Sequence, residues 1–79
     1  MTRFYFNVTN SHGLATDPEG QPLPDLAAAR EEALRGIRSL LADEVKEGEM
    51  NLRGRIDVVD EAGRAVVSIP FDEAVRILR

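Results

Sequence analysis

The chain has 79 residues, and this length indicates one small domain, predicted over residues 1–79. Its formal net charge is −4, and it has no cysteine and therefore no disulfide. His12 is the single histidine, so a nitrogen- or sulfur-ligated zinc site is excluded and association with a second copy is the expected support for a thin core. The acidic balance argues against nucleic acid or an anionic membrane as the main partner.

Alternating polarity predicts a β-hairpin at the N-terminus. Apolar and polar side chains alternate over residues 3–9, which places Tyr5 on the exposed outer face of a strand. Residues 14–17, after a turn cluster, are predicted to form a short return strand. Pro22 and Pro24 then hold the connection extended, because each proline restricts the residue before it.

One long amphipathic helix is predicted next. Asp25 is the expected N-cap and Gly48 the expected residue just after the helix. Between them, apolar residues recur at three- and four-residue steps: Leu26, Ala29, Ala33, Ile37, Leu40, Leu41 and Val45. This spacing predicts a helix with one face packed on a sheet.

The helix is longer than the strands beneath it. At 1.5 Å per residue it runs roughly 34 Å, whereas a seven-residue strand reaches about 23 Å. We therefore expect an overhang that leaves apolar surface around Leu41 and Val45. Either residues 50–52 or another subunit would cover this surface.

A second hairpin is predicted from two alternating runs, residues 56–59 and 67–71, joined by a turn. Asp72 can cap a last short helix over residues 73–78. We predict an α+β fold, β-β-α-β-β-(α), with one long helix packed on one face of a mainly antiparallel three- or four-stranded sheet. For the four predicted strands, numbered along the chain, the order 2-1-4-3 with a central parallel pair and the fully antiparallel order 2-1-3-4 both remain open.

Six short segments carry a further pattern: Arg3-Phe4-Tyr5-Phe6, Asp17-Pro18-Glu19-Gly20, Leu23-Pro24-Asp25-Leu26, Ala29-Arg30-Glu31, Asp60-Glu61-Ala62-Gly63-Arg64 and Ile69-Pro70-Phe71. On the basis of these segments, which extend over almost its full length, the chain resembles a family of very short bacterial proteins catalogued as a domain of unknown function. The resemblance supports the fold and implies no activity. Family members often have His at the position of Asn7, so any role of that His would not extend to this chain.

The composition and the N-terminus predict a cytoplasmic protein. Apolar residues make up 43% of the chain and charged residues 30%, as in folded soluble domains. No run approaches the roughly 18 apolar residues that span a bilayer. The first ten residues alternate in polarity, where a signal peptide has a continuous apolar stretch.

No group of residues forms a recognisable chemical site, so we predict no catalytic, cofactor-binding or metal-binding residues and no enzymatic activity. His12 lies in a turn without the pattern of a nucleophile and its base, and the acidic groups lack the spacing of a calcium loop. We predict instead an interaction surface, for which the candidate residues are Tyr5, Leu41, Val45, Arg35 and Arg38.

The leading functional hypothesis is a small cytoplasmic protein–protein interaction or regulatory module. It would self-associate as a homodimer through an exposed strand edge or through the helix overhang. The alternative is a nucleic-acid-binding regulator that uses the Arg-bearing face of the helix, with Tyr5 as a stacking ring.

Overall fold

Five strands and one long helix make up the fold in the computed structural model of residues 1–79. The strands are β1 (Thr2–Asn10), β2 (Gly13–Ala15), β3 (Gln21–Leu23), β4 (Gly54–Val59) and β5 (Ala65–Pro70). Helix α1 (Leu26–Lys46) connects β3 to β4, and one turn of 3₁₀-helix, Phe71–Glu73, follows β5. The predicted α+β class, with one long helix and a mainly antiparallel sheet, is confirmed.

The sheet is antiparallel throughout, with spatial order β2-β1-β4-β5. Of the two orders that the sequence leaves open, the fully antiparallel one is therefore correct and the one with a parallel pair is wrong. β3 pairs with the first residues of β1, where Pro22 opposes Arg3. The sheet thus has five strands rather than three or four, because residues 21–23 join it although Pro22 cannot donate to the ladder.

The core lies between α1 and one face of the sheet. The three largest fully buried side chains lie at its centre, namely Ile37 of the helix, Val58 of β4 and Ile69 of β5. The remaining buried residues are Phe4, Ala29, Ala33, Leu34, Leu41, Ile56, Phe71 and Ala74. Because side chains alternate along a strand, the residues between these positions form the outer face of the sheet, opposite α1.

Both predicted ends of the helix are confirmed. The Asp25 carboxylate accepts the Ala28 N–H at 2.8 Å, as an N-cap does. At the other end Gly48 has a φ of +91°, and its N–H donates to the carbonyl of Val45 at 3.0 Å. The N–H of Glu49 also donates back to the helix, at 3.1 Å, which completes a Schellman motif.

The predicted last helix over residues 73–78 is wrong. The chain makes a single 3₁₀ turn, Phe71–Glu73, and Asp72 does not cap it with its side chain. A continuing helix would use the carbonyl of Ala74 to accept the N–H of Leu78. That carbonyl instead accepts the Arg38 Nε–H at 2.7 Å, so the contact with α1 replaces the next helical turn.

Candidate interaction surfaces

β5 forms the open edge of the sheet, because it pairs with β4 on one side and with no strand on the other. None of its six residues is charged. Ala65, Val66, Ser68 and Pro70 are exposed. Proteins commonly protect such edges with charged side chains. β5 ends in Pro70, and proline has no N–H that could remain unpaired. Charged residues occur only outside the strand.

The backbone groups of Ser68 point towards the open edge. Phe6 of β1 donates its N–H to Asp17, away from β4. Because hydrogen-bonding sides alternate along antiparallel strands, Val58, the partner of Phe6, directs its N–H and C=O towards β5, where it opposes Val67. Val67 therefore bonds to β4, and the next residue, Ser68, presents its N–H and C=O outward.

The opposite edge of the sheet is closed by a side chain. β2 pairs with residues 8–10 of β1 and β3 with residues 2–4, which leaves a gap between the two short strands. In this gap the Asp17 carboxylate accepts the N–H of Phe6 at 3.2 Å. It also accepts the N–H of Gly20 at 3.1 Å, while Asn7 Oδ1 accepts the N–H of Asp17 at 2.9 Å. Asp17 therefore occupies the place of a missing strand.

The helix overhang is smaller than the sequence indicates. Leu41 is only 3% exposed and belongs to the core of its own chain, with half-buried Leu52 packed against that core. Of the two coverings that the sequence leaves open, Leu41 has the one within its own chain, so it is not available to a second subunit. Val45 is 56% exposed and lines a shallow surface depression with Gly48, Glu49 and Met50.

Tyr5 lies on the outer face of the sheet and is half-buried rather than exposed. Its ring lies so close to Gly20 that a Cβ atom on that residue would come within 2.8 Å of Tyr5 Cδ2. Gly20, with a φ of +69°, accommodates this contact. Tyr5 thus covers the Asp17 turn and lies on the opposite side of the sheet from Val45 and Arg38.

The Arg-bearing face of the helix is largely engaged within the chain. Arg30 forms an ion pair with Glu73, and Arg38 binds the carbonyl of Ala74. Both arginines hold the segment after β5 against α1. Arg35 is 74% exposed and lies 3.6 Å from Glu32, and such exposed pairs contribute little to stability.

The turn between β4 and β5 is organised by Asp60. Its Oδ1 accepts the N–H of Ala62 at 2.9 Å and of Arg64 at 3.0 Å, and the Arg64 guanidinium lies 3.4 Å from Oδ2. The hydrogen bond from the Arg64 N–H, then that from Ala62 and the charge of Arg64, lower the pKa of Asp60 below its usual value, although desolvation acts in the opposite direction.

Replacing Asp60 by asparagine should reduce the stability at neutral pH and make it less sensitive to acid. A carboxylate with a lowered folded-state pKa stabilises the fold above its unfolded pKa of about 3.9, and this contribution is lost as the pH falls below that value. Urea unfolding at neutral pH and in acid measures the difference in the free energy of unfolding between Asp60→Asn and the unaltered chain. This difference should be smaller in acid. Asp43→Asn, at an exposed helix position, is the control. A difference that stays constant would contradict the role of Asp60.

The structure does not bring the five predicted interaction residues into one surface. Tyr5 lies on the outer face, Leu41 in the core, and Val45, Arg35 and Arg38 on the helix. No three histidine or carboxylate side chains come together in a group that could hold a metal ion. Helix α1 does not have the apolar composition of a membrane-spanning helix.

Comparison with protein families gives a match over most of the chain. A model described as a domain of unknown function (DUF6894) matches residues 3–72. The chain belongs to this family. The part that matches DUF6894 contains all of β5 and both carboxylate-organised turns, at Asp17 and Asp60. The match ends before Glu73, which pairs with Arg30. Comparison with the curated proteins and with the solved structures gives no match.

Sequence reasoning missed the open edge at β5 and the bridge at Asp17. The run Ala65–Pro70 gave no signal of an edge, because it has no charged residue and edge strands commonly carry charged side chains. The signal for Asp17 was its position before Pro18, where Asp commonly accepts N–H groups of the following turn. The bond to Phe6 had no local signal, because 11 residues separate the two partners.

Proposed function

We propose that the chain is a small cytoplasmic protein–protein interaction or regulatory module that self-associates through the open edge of its sheet. The observation that carries the proposal is β5, a six-residue edge strand without a charged residue, whose Ser68 backbone groups have no neighbouring strand. A strand of another chain can add to such an edge through main-chain hydrogen bonds.

The small core supports the same proposal. Only 11 of 79 residues are buried, and domains of this size commonly gain stability from a partner subunit. The edge at β5 offers such a partner a larger continuous ladder than the other edge, where β2 and β3 have three residues each and Asp17 fills the gap between them. The proposal therefore assigns association to β5 and not to the helix overhang.

The rival function, nucleic-acid binding through the Arg-bearing face, has less support. Arg30 and Arg38 are engaged with Glu73 and Ala74 of the same chain, and the net charge is −4. A mobility shift with nucleic acid that is present at low salt and lost at high salt would favour the rival.

Sedimentation of the purified chain over a concentration series tests the self-association. The unaltered chain should sediment as a dimer that dissociates on dilution. Ser68→Lys should be monomeric, because a lysine at the middle of an edge opposes strand pairing. Ser39→Lys adds the same charge at an exposed position of α1 and should remain dimeric. An unaltered chain that stays monomeric at every concentration would contradict the proposal.

A further inference from the structure

We propose that two copies pair their β5 strands antiparallel about a two-fold axis at Ser68, which joins two five-stranded sheets into one continuous sheet. This inference rests on the self-association proposed above and specifies its register. A two-fold interface is self-complementary, so each contact occurs twice. With the axis at Ser68, Val67 of each copy lies opposite the partner's Ile69.

Side-chain alternation restricts the register. Residues that oppose each other in a continuous sheet lie on the same face. Val67 and Ile69 oppose the buried residues Val58 and Ile56 and therefore lie on the helix side, whereas Ser68 lies on the outer face. The axis must consequently pass through a residue of β5 and not between two residues. The two residues at the middle of the strand are Val67 and Ser68.

A β-bulge favours Ser68 over Val67. The ladder with β4 shifts register between Ala65 and Val67, which leaves Val66 as the extra residue. An axis at Val67 would put this bulged residue opposite Ser68 in both central pairs, where a bulge disrupts the ladder. An axis at Ser68 makes the central pair regular, and the two Ser68 residues exchange both N–H···O=C bonds.

The same axis brings opposite charges together at both ends of the pairing. Arg64 immediately precedes β5 and Asp72 follows it in the 3₁₀ turn, so antiparallel pairing brings Arg64 of each copy to the same end of the interface as the partner's Asp72. The Arg64 side chain is 79% exposed and Asp72 is also exposed. The charges therefore support an antiparallel pairing of the two β5 strands.

Single cysteine variants test the register cleanly, because the chain has no cysteine of its own. Ser68→Cys should form covalent dimers with the shortest bifunctional thiol reagents, since opposed Cα atoms in such pairs lie about 5.5 Å apart. Val66→Cys is the matched control on the same strand. Its two copies would lie about 13 Å apart along the strands, so they should remain uncross-linked.

Charge reversal tests the ends of the pairing. Asp72→Arg should weaken the dimer roughly tenfold, because two exposed attractive pairs become repulsive. Adding Arg64→Asp in the same chain restores opposite charges and should recover most of the affinity. Circular dichroism of each variant confirms that it remains folded before the dissociation constant is measured by sedimentation.

The results separate the register from the self-association. Cross-linking at Ser68 but not at Val66 supports the register, and recovery in the double variant supports the antiparallel pairing. A dimeric unaltered chain that cross-links through Val67→Cys and not through Ser68→Cys overturns the register and leaves self-association intact. An unaltered chain that is monomeric overturns both.

Discussion

Replacing Gly54 by alanine is expected to lower the melting temperature by roughly 10 °C or more, since it should cost at least about 2 kcal/mol and 1 kcal/mol corresponds to about 4–8 °C in a domain of this size. Gly54 begins β4 with a φ of +146°, which L side chains rarely adopt. A Cβ atom there would lie 2.6 Å from Cε2 of Phe71 and 2.8 Å from the carbonyl oxygen of Thr9. Phe71 is 3% exposed and part of the core, so its ring cannot move away without disturbing the packing.

The cost has two separable parts. Backbone strain contributes about 1–3 kcal/mol and overpacking about 1–3 kcal/mol. Gly63→Ala is the control for strain alone, because Gly63 has a φ of +83° and no atom near the added Cβ. Gly36→Ala is the control that introduces neither strain nor overpacking, since its Cβ would lie 3.7 Å from Ile56 Cδ1, an ordinary contact.

Calorimetry of the three variants should rank them clearly. Gly36→Ala should melt above the unaltered chain, because alanine is favoured over glycine in a helix by about 1 kcal/mol. Gly63→Ala should melt moderately below it, and Gly54→Ala far below both. Equal losses for Gly54→Ala and Gly63→Ala would mean that Phe71 does not pack on the start of β4.

Replacing Asp17 by alanine should lower the free energy of unfolding by about 2–3 kcal/mol, as expected when charged hydrogen bonds are lost and a half-buried N–H is left without a partner. The carboxylate accepts N–H groups from Phe6, Glu19 and Gly20. The Phe6 bond matters most, because it lies in the gap between β2 and β3 where no strand can take over.

Urea unfolding measures this loss, and hydrogen exchange locates it. The Phe6 amide should exchange faster in Asp17→Ala, while amides in the middle of α1 should change only with the global stability. Asp43→Ala removes an exposed carboxylate near the helix C-terminus and should leave the stability equal or slightly higher. Unchanged protection of the Phe6 amide would show that Asp17 does not bridge the edge.

Features with local causes were predictable from the sequence. The helix begins after Asp25 and ends before Gly48, as expected from the capping residues, because each cap depends on atoms within a few residues. The two hairpins and the apolar face of α1 follow from alternation and helical spacing for the same reason. These features were sufficient to predict the fold class.

Features that depend on distant segments were not predictable. Leu41 is buried because the chain after α1 turns back at Gly48, where Asn51 donates its N–H to Glu44 at 3.0 Å. The last helix is absent because Arg38 takes the carbonyl of Ala74, 36 residues away. The strand order depends on which strand pairs with β1 on each side. The apolar content of the sequence favoured the strand at residues 67–71, whereas β4 is the observed neighbour. The five candidate interaction residues do not share one surface for the same reason, since each of them was placed by one element alone.

The bridge at Asp17 also limits how this protein can vary in length. Surface connections usually accept inserted residues at small cost. Here the Asp17 carboxylate must reach the N–H of Phe6 while the N–H of Asp17 reaches Asn7 Oδ1. The connection from β2 to β3 therefore has a fixed length. An insertion between Ala15 and Gln21 would move Asp17 out of register with Phe6 and Asn7, and it would weaken the pairing of β2 and β3 with β1.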